Sequence, residues 1–432
     1  MKMANMDDYF DVVIVGTGAA GLYCALNLPA RYRILLLTKQ KADESDSFLA
    51  QGGICMQHGE ADYRPFFDDT MRAGHYENNP ATVDLMIRSS NSIIRDLVRR
   101  GVRFARDDHG ALRFTREGAH SRPRILFHED ITGHEITQTL LNEVLRCENI
   151  ELREHTTLLD FFADASACGG VIAAGPDGEP QAIGAGAVVL ACGGIGGLYK
   201  NSTNFPHITG DALAMALRHG VACEHLDYIQ IHPTTLYSHR KGRRFLISES
   251  VRGEGALLLD KNGNRFTNEL QPRDVVSAAI RAQMEKDGTD HVWEDMRPIG
   301  EAAIREHFPN ILERCEEEGY DPIHEPIPVV PAQHYFMGGI TADLSSRTAL
   351  PRLYACGETC CNGVHGRNRL ASNSLLESLV FAQRAADDIL YGEPPVFTGD
   401  KPDLAPYREQ EPLFAAYRQE VLTAIERSKN HE

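Results

Sequence analysis

No run of apolar residues in this chain approaches the roughly 18–20 that a membrane-crossing helix needs. The opening stretch, Met1-Lys2-Met3-Ala4-Asn5-Met6-Asp7-Asp8, holds no apolar signal core, so a cytoplasmic location is expected. Positive charge is also short: 44 Lys and Arg stand against 61 Asp and Glu, a formal charge of −17. That balance argues against a nucleic-acid surface or an anionic membrane as partner. The ten cysteines lack the spacing of a small disulfide-stapled domain, which fits a reducing compartment. Cys356, Cys360 and Cys361 form the one tight group. Without a second pair or a His at ligand spacing, they read as small residues packed near a cofactor, and no metal is expected. There is no internal repeat and no tract of disordered composition.

What is present points to an α/β protein of two or three domains, since 432 residues exceed one core. Asp11-Val12-Val13-Ile14-Val15 reads as a buried parallel strand, followed by Gly16-Thr17-Gly18-Ala19-Ala20-Gly21 and a helix to about Asn27. Arg33 to Thr38 is the next buried strand and completes a β-α-β unit. Asn79-Pro80 predicts a helix start, with Val83, Ile87, Ile94, Leu97 and Val98 on one face and Gly101 as the stop. Short strands are expected from about 150 to 190, among them Ala187 to Ala191. Thr209-Gly210-Asp211 introduces a helix, Leu353 to Glu358 returns to strand-then-Gly, and 373–388 and the region around 413–425 are helical. Residues 226–335 mix polar loops, helices and proline, and read as a domain inserted into the first.

The G-x-G-x-x-G run directly follows a buried strand and opens a helix, the context in which it binds a dinucleotide. Its glycines allow a tight turn and close approach to a pyrophosphate, which meets the free N–H groups and positive end of the helix. The second strand ends in Thr38-Lys39 and not in the acidic residue that usually holds a ribose. By itself, that leaves NADP-like phosphate recognition and a flavoprotein variant both open.

Six further motifs occur in order: Ala50-Gln51-Gly52-Gly53-Ile54, His232-Pro233-Thr234, Arg252-Gly253-Glu254-Gly255, Pro272-Arg273-Asp274, His334 to Gly339, and His365-Gly366-Arg367-Asn368-Arg369. From about residue 8 to 390 the chain resembles the succinate dehydrogenase/fumarate reductase flavoprotein family, and within it the members that oxidise L-aspartate. The resemblance implies a Rossmann-type FAD-binding domain (1–225 and 336–390), an inserted α+β capping domain (226–335) and a short helical C-terminus (391–432). That last part is shortened against the family's three-helix domain. A Ser/Thr-Lys pair commonly ends the second strand in this family, so the NADP alternative falls away. The resemblance places Gly16, Thr17, Gly18, Ala19, Ala20, Gly21, Lys39, Ser47, Ala50, Gln51, Gly52, Gly53, Asp211, Glu358, Ser374 and Leu375 around FAD. Relatives with covalent flavin carry a His just before A-Q-G-G. Asp46 stands there in this chain, so non-covalent FAD is expected.

A C4 dicarboxylate needs cationic or strong donor groups at both ends. The family pattern assigns this to His232, Ser248, His334 and Arg369, with Arg369 able to grip a carboxylate in two parallel bonds. Arg273 matches the family's proton-transfer arginine; a free arginine holds its proton, so an adjacent anion such as Glu249 or Glu254 would have to assist. Glu117, in Thr115-Arg116-Glu117-Gly118-Ala119-His120-Ser121, is expected to accept from a substrate ammonium, which succinate and fumarate lack. Ala371 to Glu377 points the same way. The resemblance therefore implies oxidation of L-aspartate to iminoaspartate with oxygen or fumarate as acceptor. The product would feed quinolinate formation for NAD, with quinolinate synthase as a candidate protein partner. A soluble fumarate reductase or succinate dehydrogenase flavoprotein is the competing reading.

Overall fold

The computed structural model describes residues 8–240, 242–392 and 397–430. Strand β1 (Tyr9–Val15), helix α1 (Ala19–Asn27) and strand β2 (Ile34–Leu37) form the expected unit, with β1 and β2 parallel in the register Val12 to Ile34. All four residues of β2 are buried, as a strand covered on both faces requires. Ile150–Arg153 extends the sheet beyond β2, and the long strand Pro180–Leu190 flanks β1 on its other side. The second half of that strand also pairs with Leu353–Ala355, while its first half pairs antiparallel with Cys168–Ala174, which in turn pairs with Thr157–Ala163. The result is one seven-stranded mixed sheet.

The second sheet is antiparallel and has four strands, in the order Ile229–Leu236, Ile327–Phe336, Val292–Asp295 and Leu257–Leu259. It has its own apolar core, in which Val276 and Ile280 of the helix Arg273–Asp287 pack with Leu258, Val292 and Ile327. The helix Pro80–Arg100 begins and ends as its residues dictate. The Asn79 side chain accepts from the Ala81 N–H, and Gly101 is left-handed at φ 103. The C-terminal helix Gln410–Lys429 buries Tyr417, Val421 and Ile425 against the helix Asp211–Arg218 and the larger sheet. No helix of the described residues is long and apolar enough to cross a membrane.

Candidate active site

A cavity of about 420 Å³ is lined by the C-terminal ends of β1 and β2 and by residues of the second sheet. On its wall lie Gly16, Thr17, Gly18, Ala20, Lys39, Ser47, Ala50, Gln51, Gly52, Gly53, Asp211, Glu358, Ser374 and Leu375. Ala19 and Gly21 are not on the wall but build it. The Ala19 N–H donates to Ser47 Oγ at 3.0 Å and ties the start of α1 to the turn Asp46–Leu49. A Cβ on Gly21 would stand 1.9 Å from the Gly16 carbonyl oxygen, and one on Gly16 (φ +114) would stand 2.0 Å from that of Ala191. Only glycine fits either place.

Lys39 Nζ reaches Asp211 Oδ2 at 2.7 Å and the His207 carbonyl at 3.1 Å, and lies 5.0 Å over the Phe414 ring. Glu358 Oε1 accepts the Phe336 N–H at 2.9 Å, and burial pushes its carboxyl well above the usual range. Asp46 Oδ1 accepts from the Phe205 N–H at 2.9 Å, while Oδ2 is buried with no protein partner. Burial raises Asp46 to about 7. These features fit a flavin dinucleotide: α1 opens into the cavity with no acidic residue in its first turn, its glycines leave the space a pyrophosphate needs, and Gln51 Oε1 is buried without a partner.

Glu117, His232, Ser248, Arg273, His334 and Arg369 line the same cavity. Arg273 opens its helix; its Nε donates to Glu249 Oε2 at 2.5 Å and its Nη1 to Gln230 Oε1 at 3.0 Å. Burial would raise Glu249, but Arg273 and Arg252 outweigh it and hold the carboxylate low. Glu254, the other anion considered beside Arg273, instead pairs with His307 at 2.8 Å. Arg369 is 5% exposed, with Nε unpartnered, Nη1 3.2 Å from Ser374 Oγ and its guanidinium 4.6 Å over the Tyr335 ring. Burial first, and then the charge of Arg273, lower it to about 10.

The His232 and His334 rings lie 5.3 Å apart. His232 Nε2 donates to the Ile247 carbonyl at 2.9 Å, because that carbonyl can only accept, so Nδ1 is the bare nitrogen and has no protein partner. His334 Nδ1 meets Thr203 Oγ1 at 2.8 Å. Burial, followed by Arg273, holds both rings neutral, well below the ordinary histidine range. Ser248 caps the short helix Glu249–Gly253, accepting from the Ser250 N–H.

Glu117 is buried, accepts from Ser372 Oγ at 2.7 Å, and lies so close to Gly52 that a Cβ there would be 3.0 Å from Glu117 Oε1. Burial raises its pKa; the Ser372 bond and Arg273 oppose this, and Glu249 reinforces it. Two contributors carried no signal in the motifs, Gln230 and Thr203, and Ser372 lay within the Ala371–Glu377 stretch without a role of its own. Gln230 could have been found from strand periodicity, since it lies two residues from His232 on one face. Thr203, and the pairing of Ser372 with Glu117, are brought in only by packing.

Residues 11–375 match the model of the FAD binding domain family. The chain is 48% identical to the L-aspartate oxidase of Clostridium perfringens over 380 residues, 88% of this chain and 86% of that protein. To the L-aspartate oxidase of Nostoc sp. it is 44% identical over 98% of this chain and 76% of that protein. Among solved structures, a mutant of the E. coli quinol fumarate reductase FrdA superposes with a TM-score of 0.83 at 31% identity, over 95% of this chain and 74% of that one.

Proposed function

This chain belongs to the L-aspartate oxidases, within the FAD-binding flavoproteins, and from that membership and the site we infer that it oxidises L-aspartate to iminoaspartate. FAD is its cofactor, and the reaction is the first step of NAD biosynthesis. The observation that carries the substrate assignment is Glu117: a buried carboxylate beside Gly52, in a cavity that also holds Arg273 and Arg369. Two arginines suit two carboxylates, and the added anion suits an ammonium.

When bound, FAD would supply the acceptor for the hydride, one proton with two electrons, lost from Cα. Everything else is the work of this chain. Arg369 grips one carboxylate; its unpartnered Nε favours the two-pronged contact that a lysine cannot make. Arg273 takes the other end while Glu249 and Gln230 fix its plane. His232 and Ser248 complete the dicarboxylate site, and His334 is aimed by Thr203. Glu117 accepts from the substrate ammonium. Its raised pKa makes it the better proton acceptor when the amine must be neutralised before Cα–H cleavage. Burial of the whole cluster strengthens each contact.

Oxygen or fumarate takes the electrons; likeness to a fumarate reductase supports a site able to hold fumarate. Asp46 in place of a linking His supports non-covalent FAD. A cytoplasmic setting and hand-over of iminoaspartate to quinolinate synthase complete the reading. The test is an anaerobic titration of the flavin absorbance. L-aspartate bleaches it, whereas D-aspartate does not and succinate does so poorly; bleaching by succinate in preference to L-aspartate would give the site to the dehydrogenase reading. Acid precipitation of the same sample leaves FAD in the supernatant.

A further inference from the structure

Beneath the Glu117 loop lies a buried charge cluster that the reaction does not touch. Arg124 has no exposed surface; it donates to Asp62 Oδ1 through Nη2 at 3.0 Å and to Asp69 Oδ2 through Nη1 at 2.8 Å. The same Nη1 lies 2.8 Å from His120 Nδ1. A guanidinium only donates, so Nδ1 is the bare nitrogen of the ring. The proton is therefore on Nε2, which donates to the Ala371 carbonyl at 3.0 Å. Burial first lowers His120 to about 4, with Arg124 adding to it, so this neutral tautomer persists across the neutral range. Asp69 accepts from both the N–H and the hydroxyl of Ser121 at 2.7 Å and pins the far side of the loop.

The Ala371 carbonyl also receives the Cys55 thiol, at 3.7 Å. Ser372 follows it in a left-handed conformation, φ 60, which a non-glycine residue keeps only when its surroundings enforce it. That conformation aims the Ser372 hydroxyl at Glu117 Oε2 while its oxygen accepts the Gly53 N–H at 3.2 Å. His120 itself is not on the cavity wall.

We propose that His120 is a positioning residue for substrate choice: through the Ala371 carbonyl it holds Ser372, and through Ser372 the Glu117 carboxylate, where an ammonium binds. The proposal rests on the L-aspartate reading of the site. It makes substrate choice depend on the donor half of the imidazole and not on its acceptor half.

Two polar variants separate the halves. His120→Asn keeps an acceptor for Arg124 but cannot reach Ala371; His120→Gln places an N–H near the Nε2 position and loses the Arg124 contact. In holoenzyme, His120→Asn raises KM for L-aspartate about tenfold, with kcat changed much less. The succinate dissociation constant, read from the flavin difference spectrum, stays within about threefold in that variant. His120→Gln restores most of the KM. An impaired His120→Gln beside a normal His120→Asn would overturn the proposal, leaving the ring a mere partner for Arg124. Equal weakening of L-aspartate and succinate in His120→Asn overturns it too. Failure of L-aspartate to bleach the wild-type flavin marks failure of the underlying reading, and is seen before any variant is made.

Discussion

The β1–α1 turn brings Gly16, Thr17 and Gly18 to the cavity from three consecutive positions and offers mostly backbone. Another part of the wall draws Glu117, His232, Ser248, Arg273, His334 and Arg369 from separate segments and offers buried or half-buried side chains, most of them ionisable. The first wall is defended by space: a Cβ at Gly21 or Gly16 meets a carbonyl oxygen at 1.9 or 2.0 Å. The second is defended by charge, with burial moving Glu117 up and both histidines and Arg369 down, while Arg273 holds Glu249 low. A site of this kind fails in two distinguishable ways, by sterics at the glycine turn and by electrostatics at the ionisable cluster.

The largest break in that contrast is Arg273→Leu. It strands Glu249 in the interior, and truncating one partner of a buried charge pair costs about 2–5 kcal/mol, so kcat/KM for L-aspartate falls roughly 30- to 5000-fold. FAD content, read from the ratio of flavin to protein absorbance, stays at the wild-type level. Arg273→Lys rescues little, since an ammonium cannot hold Glu249 and Gln230 in one plane.

Gly21→Ala tests the other wall. Overpacking costs about 1–3 kcal/mol, which raises the FAD dissociation constant roughly 5- to 150-fold by fluorescence titration. Turnover at saturating FAD changes little. A variant that kept FAD affinity but lost L-aspartate binding would erase the distinction between the walls.

Glu117→Gln sharpens the substrate wall alone. It keeps the size and one acceptor oxygen but removes the charge, at about 1.5–3 kcal/mol, so kcat/KM for L-aspartate drops on the order of 10- to 100-fold. Fumarate reduction is preserved or improved, because no ammonium is involved. Equal losses for both substrates would make Glu117 structural.

The smallest effect lies away from both walls. Glu294 is fully buried, neither of its oxygens has a protein partner, and burial raises it to about 8. The unfolded chain ionises first as pH rises, so stability is greatest below the ordinary carboxylate pKa and is lost up to the folded value. Glu294→Gln removes that loss. Thermal unfolding should show little gain at pH ~5 and roughly 1–3 kcal/mol at pH ~8; a gain independent of pH would contradict the assignment.

Much of the fold was legible because its signals are local. Buried apolar runs gave β1 and β2, and Asn79, Pro80 and Gly101 bounded their helix. The helix Thr132–Val144 gave no such notice: no side chain caps it and its last turn has no basic residue, so packing against α1 and the helix Pro80–Arg100 sustains it. The motifs named the residues that line the cavity, but named them singly.

The sequence by itself determined where glycine was obligatory, which residue types would gather on the cavity wall, and that Asp46 cannot carry a histidyl link. Only the tertiary structure decided their partners: Glu249 and not Glu254 on Arg273, Thr203 on His334, Ser372 on Glu117, and His120 behind Ser372. The reason is physical. A backbone turn is fixed by the few residues that form it, whereas the partner and protonation of a buried side chain depend on the segments that exclude water from it, and those come from all along the chain.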